Sequence, residues 1–199
     1  MDPLNERLAA NLERTFEDLV RGHQDRLYSL AARYLGNTAD AEDVTQEAFV
    51  RAYRAMASYP PARIHDLDLR PWLTTILLNV ARNRARPDRA RTTTMDALAT
   101  LRADPAEAPE AATDRREAAE RWAALVASLP AIYRAPVLLR HLDGCSYGEM
   151  AGILGRAEGT LKAQVHRGVE LLRAAFEADD RRPPPAMPVA SPLLEEVMP

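Results

Sequence analysis

The sequence predicts an all-α protein built as two helical domains joined by a flexible acidic linker. Three observations carry that expectation. Apolar residues recur at three- and four-residue steps through most of residues 1–91 and again through 115–176, the period of an amphipathic helix. Residues 92–114 are rich in alanine, contain Pro105 and Pro109, and offer too little large apolar surface to offset chain ordering. The single cysteine, Cys145, excludes an intramolecular disulfide and a cysteine-rich zinc site, so the fold rests on an apolar core. The expected division is a first domain at 1–91, a linker at 92–114, a second domain at 115–176 and a proline-rich tail at 177–199.

Taken in order, Leu8, Leu12, Phe16, Leu19, Leu27, Leu30 and Tyr34 mark a first helical stripe, with Gly22 as the expected break into two. Gly36-Asn37 is a turn, and Asp40 or Thr38 is placed to cap a second helix whose core positions are Ala41, Val44, Ala48, Ala52 and Met56. Tyr59-Pro60-Pro61 ends it, and the chain to Arg70 reads as polar and irregular, too short for a further element of consequence. Pro71 suits the first turn of a third helix carrying Trp72, Leu73, Ile76, Leu77 and Val80. Trp72 belongs on the apolar face, a core position.

Beyond the linker, Trp122, Leu125, Val126 and Leu129 resume helical spacing until Pro130. A helix over roughly 132–142 follows, which Pro136 forces either to begin late or to kink, since an interior proline removes a hydrogen bond. Asp143-Gly144 makes a turn. Ser146-Tyr147-Gly148-Glu149 has the spacing of a capping box that opens a short helix through Met150, Ala151, Ile153 and Leu154, and Gly155 stops it. From Glu158 to Phe176 a longer helix carries Leu161, Val165, Val169 and Leu172 on one side. Short helix, glycine turn and long helix with a basic outer face make a helix-turn-helix, although a plain helical hairpin shows the same pattern. Leu193, Leu194 and Val197 form a small apolar patch in the tail.

The formal net charge of −3 conceals a segregation of charge along the chain. Asp40, Glu42, Asp43 and Glu47 stand together without a base, whereas Arg70, Arg82, Arg84, Arg86, Arg89 and Arg91 face Asp88 alone. The linker returns to acid, with Asp96, Asp104, Glu107, Glu110 and Asp114 against Arg102. A basic segment inside an acidic chain points to a localised polyanion site, the alternative being a solvated helix face. No run reaches the roughly eighteen apolar residues of a membrane span. The start MDPLNERL carries acids where a signal peptide is basic, so a cytoplasmic protein without membrane insertion is expected. Paired carboxylates without a matching histidine, and the lack of a glycine-rich phosphate loop, leave no basis for catalysis, a metal or a cofactor. Cys145 reads as a small buried residue rather than a redox sensor, having no cationic cluster beside it in sequence and no second cysteine to resolve an oxidised form.

Two stretches resemble one family. DAEDVTQEAFVRAYRA at 40–55, followed by RPWLTTILLNVARNRAR at 70–86, looks like region 2 of the extracytoplasmic-function (ECF) group of sigma-70-type transcription initiation factors. LPAIYRAPVLLRHLDGCSYGEMAGILGRAEGTLKAQVHRGVELLR at 129–173 looks like region 4 of the same group. The resemblance implies a non-catalytic factor that binds core RNA polymerase, through the β′ clamp and β flap, and directs it to promoter DNA by recognising −10 and −35 elements. It implies docking on the polymerase clamp by Asp40, Glu42, Asp43, Gln46 and Glu47, an acidic face suited to a basic surface. It implies capture of the unwound non-template −10 strand by Asn79, Arg82, Asn83, Arg84 and Arg86, with the preceding loop between Ser58 and Arg70 adding Tyr59 and His65 as stacking groups.

In region 4 the resemblance implies −35 readers at Arg156, Thr160, Lys162, Ala163, Gln164, His166 and Arg167. Lys162 and Arg167 suit phosphates or guanine, Gln164 suits adenine, and Ala163 suits a thymine methyl. Ala157 stands where the family commonly has a capping serine, Ala163-Gln164 replaces a common Ser-Arg, and Gly168 replaces a common alanine, so a weaker or altered −35 preference is expected. Family members are commonly held inactive by an anti-sigma factor, a further partner that no residue here identifies. The acidic linker is expected to run along polymerase channels built for nucleic acid. Two other readings are a stand-alone helix-turn-helix regulator, which would not need the Asp40–Glu47 face, and a sigma-like adaptor that binds polymerase without starting transcripts.

Overall fold

Asn11, not Gly22, divides the first helical stripe. Its backbone leaves helical geometry at φ −154° and ψ 91°, and its side-chain oxygen accepts from the Arg14 N–H, as an N-cap does. The computed structural model describes residues 3–85 and 121–178, and every regular element among them is helical. Helix α1 spans Pro3–Ala10 and α2 spans Leu12–Leu35. Gly22 lies inside α2 with nothing within 4 Å of where a Cβ would stand, so strong helix formers on both sides carry the helix through it.

The second expected cap also moves by one residue. Helix α3, Thr38–Ala57, is capped by Asn37, whose Oδ1 accepts from the N–H groups of Ala39 and Asp40. Asp40 instead accepts from the Asn37 Nδ2 at 3.0 Å. The stripe on α3 is placed as its spacing requires, with Ala41, Val44, Ala48, Ala52 and Met56 all buried. They pack on Leu27, Leu30, Ala31 and Tyr34 of α2 and on Leu73, Leu77, Leu78 and Ala81 of α5, which spans Leu69–Arg84. Alanines at the crossings let the helix axes approach. Between α3 and α5 the chain is not irregular throughout: Pro61–His65 forms a five-residue helix, α4, started by Pro60 and Pro61 and pinned inward by the buried Ile64.

The second half begins with helical residues 121–128, α6. Helix α7, Ala131–Val137, contains Pro136 and passes directly into a π-helical turn at Leu138–Leu142. The helix thus neither begins late nor breaks at the proline, and it widens after it: the Asp143 N–H reaches back to the Leu138 carbonyl at 3.0 Å. Helix α8, Tyr147–Leu154, ends on Gly155 at φ +65°, and α9 runs Glu158–Ala178. Gly168 of α9 faces α7 so closely that an added Cβ would overlap Val137 Cγ2 and come within 3.3 Å of the Tyr133 Cβ.

The two halves meet through buried residues that form one apolar cluster. Gly36, which closes α2 at φ +69°, has the left-handed backbone that suits glycine, and any Cβ there would lie 2.7 Å from Ala127 of the second half. Arg134 of α7 donates to the Tyr34 carbonyl at 2.8 Å and faces the Tyr34 ring. Near the middle of α2, Arg26 donates to both carboxylate oxygens of Asp143 at 2.7 Å, and Arg70 of α5 donates to the Asp143 backbone carbonyl. Asp143 is 4% exposed, so this charge is held by arginines of the other half in place of water. The expected linker at 92–114 and the tail beyond Ala178 lie outside the described residues.

Candidate polymerase and nucleic-acid interfaces

Helical geometry places Asp40, Asp43 and Glu47 in one row of α3 and Glu42 and Gln46 in the next, all outside the core stripe. Glu42, Asp43 and Gln46 are exposed, while Asp40 and Glu47 are half-buried. Gln46 donates to Glu42 at 3.2 Å, and Arg51 donates to Glu47 at 2.7 Å. The exposed Val50 and Tyr53 continue this surface, Tyr53 standing edge-on to Phe16 at 5.1 Å between ring centroids. Neither was singled out from the sequence. Their signal is present there, since both are large apolar residues that fall outside the stripe of Val44, Ala48 and Ala52.

Among the residues expected to hold single-stranded DNA, Arg84 is placed differently from the rest. Its guanidinium bridges Asp40 and Asp43 of α3, each at 2.7 Å, and the hydrogen bond to Asp40 is the chief cause that raises its pKa. This arginine thus joins the acidic face to the basic helix. Asn83 lines the same groove, together with Gln46, Glu47 and Val50. Asn79 is exposed and accepts from Arg82 at 3.4 Å, so these two stand together on α5. Arg86 lies outside the described residues. In the loop before α5, the Arg63 guanidinium covers the Tyr59 ring at 3.8 Å, and Tyr59 lies 6.2 Å from the half-buried Trp72.

The helix-turn-helix begins with the complete capping box. Ser146 Oγ accepts from the Glu149 N–H at 3.2 Å, and Glu149 accepts from the Ser146 N–H at 2.7 Å, which lowers the Glu149 pKa. On α9, Thr160, Lys162, Ala163, His166 and Arg167 are exposed. Gln164 is buried, and its side-chain oxygen accepts from Arg156 at 2.9 Å, so these two residues brace the turn into α9. Glu170, one turn beyond, draws both His166, at 3.5 Å, and Arg167, at 2.9 Å. A phosphate approaching this face meets an arginine already paired with a carboxylate. Lys162, His166 and Arg173 also border a groove toward Tyr147, whose ring faces the Arg140 guanidinium.

Cys145 is 5% exposed between the halves, 3.6 Å from Asp143. Burial, reinforced by that carboxylate, pushes its thiol up to about 12. No group of three or more metal-ligating side chains comes together among the described residues. No described helix is long and apolar enough to cross a membrane.

Comparison with known proteins gives this arrangement a class. Sigma-70 region 2 matches residues 19–91, and Sigma-70, region 4 matches residues 119–172. Together they take in more than half of the chain, which belongs to the sigma-70 family. The group within it follows from the relatives. Over 167 residues the chain is 34% identical to the ECF RNA polymerase sigma factor SigW of Bacillus subtilis, covering 79% of this chain and 87% of that protein. It is 38% identical over 167 residues to the ECF RNA polymerase sigma factor SigE of Mycolicibacterium smegmatis, covering 80% of this chain and 60% of that longer protein. Among solved structures, CnrH in complex with the cytosolic domain of CnrY is similar at a TM-score of 0.64 and 27% identity, over 89% of this chain and 97% of that one. The protein is an ECF sigma factor.

Proposed function

We propose that this protein binds core bacterial RNA polymerase and directs it to a restricted set of promoters, taking no part in the chemistry of RNA synthesis. The observation that carries this reading is the presence of both matched regions in one chain, with an acidic face on α3 in the first and a capped helix-turn-helix in the second. The acidic row, extended by Val50 and Tyr53, docks on the polymerase clamp: charge steers the encounter and the apolar pair supplies the buried contact. Asn79, Arg82 and Asn83, with the loop through α4, hold the unwound −10 strand. Thr160, Lys162, Ala163, His166 and Arg167 meet the −35 duplex, and Arg156 and Gln164 fix the angle at which α9 enters the groove. CnrH was solved with the cytosolic domain of another protein, and an anti-sigma factor covering the polymerase-binding surfaces is the further partner of this reading.

Run-off transcription with purified core polymerase on fragmented DNA of the source organism, with and without the protein, tests this. New starts that share paired upstream elements are expected, and they would yield both promoter motifs. Tight polymerase binding without new starts would leave an adaptor instead. Sequence-specific duplex binding without polymerase binding would leave a stand-alone regulator.

A further inference from the structure

Asn5 on α1 is 4% exposed, an unusual place for an amide. Its Nδ2 donates two hydrogen bonds across sixty residues of sequence, to the His65 carbonyl at 3.0 Å and to the Leu67 carbonyl at 2.7 Å. Those acceptors close α4 and lead into α5, where a helix end leaves carbonyls without intrahelical partners. Within the loop, the donors of Asp66 and Leu67 are already taken by Ala62 and Ile64, so the side chain supplies what the local backbone lacks. The other end of this amide, Oδ1, is buried with no hydrogen-bond partner among the described residues. An apolar residue would avoid that cost, which marks the two donated bonds as what asparagine contributes here.

Helix α1 is in turn anchored to α2. Thr15 Oγ1 donates to the Arg7 carbonyl at 3.1 Å, and Arg7 pairs with Asp18. A continuous brace therefore runs from α2 through α1 and Asn5 to the carbonyls of 65 and 67. What it holds still is the segment that presents Tyr59, Arg63 and His65 beside α5.

We propose that Asn5 is a positioning residue for −10 recognition: by gripping the His65 and Leu67 carbonyls it sets the loop against which single-stranded bases are read. The proposal rests on the reading of this loop and α5 as the −10 site. Holoenzyme assembled from core polymerase and the full chain tests it on promoters found by the run-off experiment, each −10 and each −35 position being substituted in turn. Asn5→Asp keeps shape and removes both donors, Asn5→Leu removes them without adding charge, and Asn5→Gln retains the amide.

With Asn5→Asp and Asn5→Leu, discrimination at one or more −10 positions is expected to fall by about tenfold, the scale of one good base contact. Discrimination at −35 and affinity for core polymerase stay within about twofold, and Asn5→Gln recovers part of the loss. Unchanged −10 discrimination in both donor-less variants would overturn the proposal alone. So would an equal decline in −35 discrimination and polymerase affinity, which marks general loss of structure. Wild-type holoenzyme indifferent to −10 substitutions would overturn the reading of the site, and the proposal with it.

Discussion

At Cys145 a thiol that sequence position leaves undefined acquires a character from its surroundings. Burial and the neighbouring Asp143 carboxylate both disfavour the thiolate, raising the thiol to about 12 from an ordinary value of 9.0. Its contribution to stability is fully present below about pH 9 and is lost as the pH climbs toward 12, because the unfolded chain then sheds a proton that the folded one keeps. Iodoacetamide labelling is expected to be slow in the folded protein at pH 8 and at least tenfold faster in denaturant, since the thiolate is the reacting form. Equal rates would show that the site is open. The expectation of a small buried residue was within reach of sequence, but the carboxylate partner was visible there only as a neighbour two positions away. Arg84 and Gln164 teach the same point more sharply. No sign in the sequence showed that Arg84 pairs with acidic residues on α3, or that the Gln164 amide pairs with Arg156.

Between residues and the molecule stand the helices, and here spacing decided most of what could be read in advance. Five of the buried positions on α3 were legible because small or medium apolar residues keep strict helical steps, while Phe49 beside them was not. The capping box of α8 was legible because both partners are local in sequence. Boundaries were harder: Asn37 outcompeted Thr38 and Asp40 as a cap, and α4 is too short to carry a period. Asn5 offered no signal at all, since its partners are backbone carbonyls, which every residue has.

The glycines separate local propensity from packing. Gly22→Ala is expected to stabilise the protein by up to about 1 kcal/mol, as open space surrounds the site and alanine is the better helix former. Gly168→Ala has the same propensity gain but drives a methyl into the buried, χ1-stiff Val137. Overpacking of this kind costs about 1–3 kcal/mol, so a net loss is expected. Thermal melts of the two variants should move in opposite directions, and a rise in both would mean that α7 and α9 part easily.

On the scale of the whole chain, the two helical halves were foreseen but their mutual contact was not. Arg26, Arg70, Asp143, Arg134 and Tyr34 gave no sequence sign of belonging together, because the pairs are separated by seventy to more than a hundred positions. Removing Arg26 leaves a nearly buried carboxylate with a more distant arginine, Arg70 at 3.4 Å, and the Cys145 thiol. Arg26→Ala should therefore destabilise the isolated protein toward the lower end of the roughly 3–5 kcal/mol seen when one partner of a buried pair is lost. Chemical denaturation of the free chain reads that loss.

The same ion pair has an opposite meaning once DNA is considered. On the proposed reading, the −10 and −35 elements lie about 25 base pairs apart, or about 85 Å along a straight duplex at about 3.4 Å per step. Halves packed into one apolar cluster do not span that distance. Apparent affinity for the promoter then falls with the fraction of molecules already parted. Arg26→Ala should bind core polymerase and promoter several-fold more tightly while melting earlier, and a parallel weakening of both would show that the pair survives in the complex. Stability of the resting chain and readiness to start transcription are thus set against each other at Arg26, one of several contacts between the halves, and selection for either alone would push that residue in different directions.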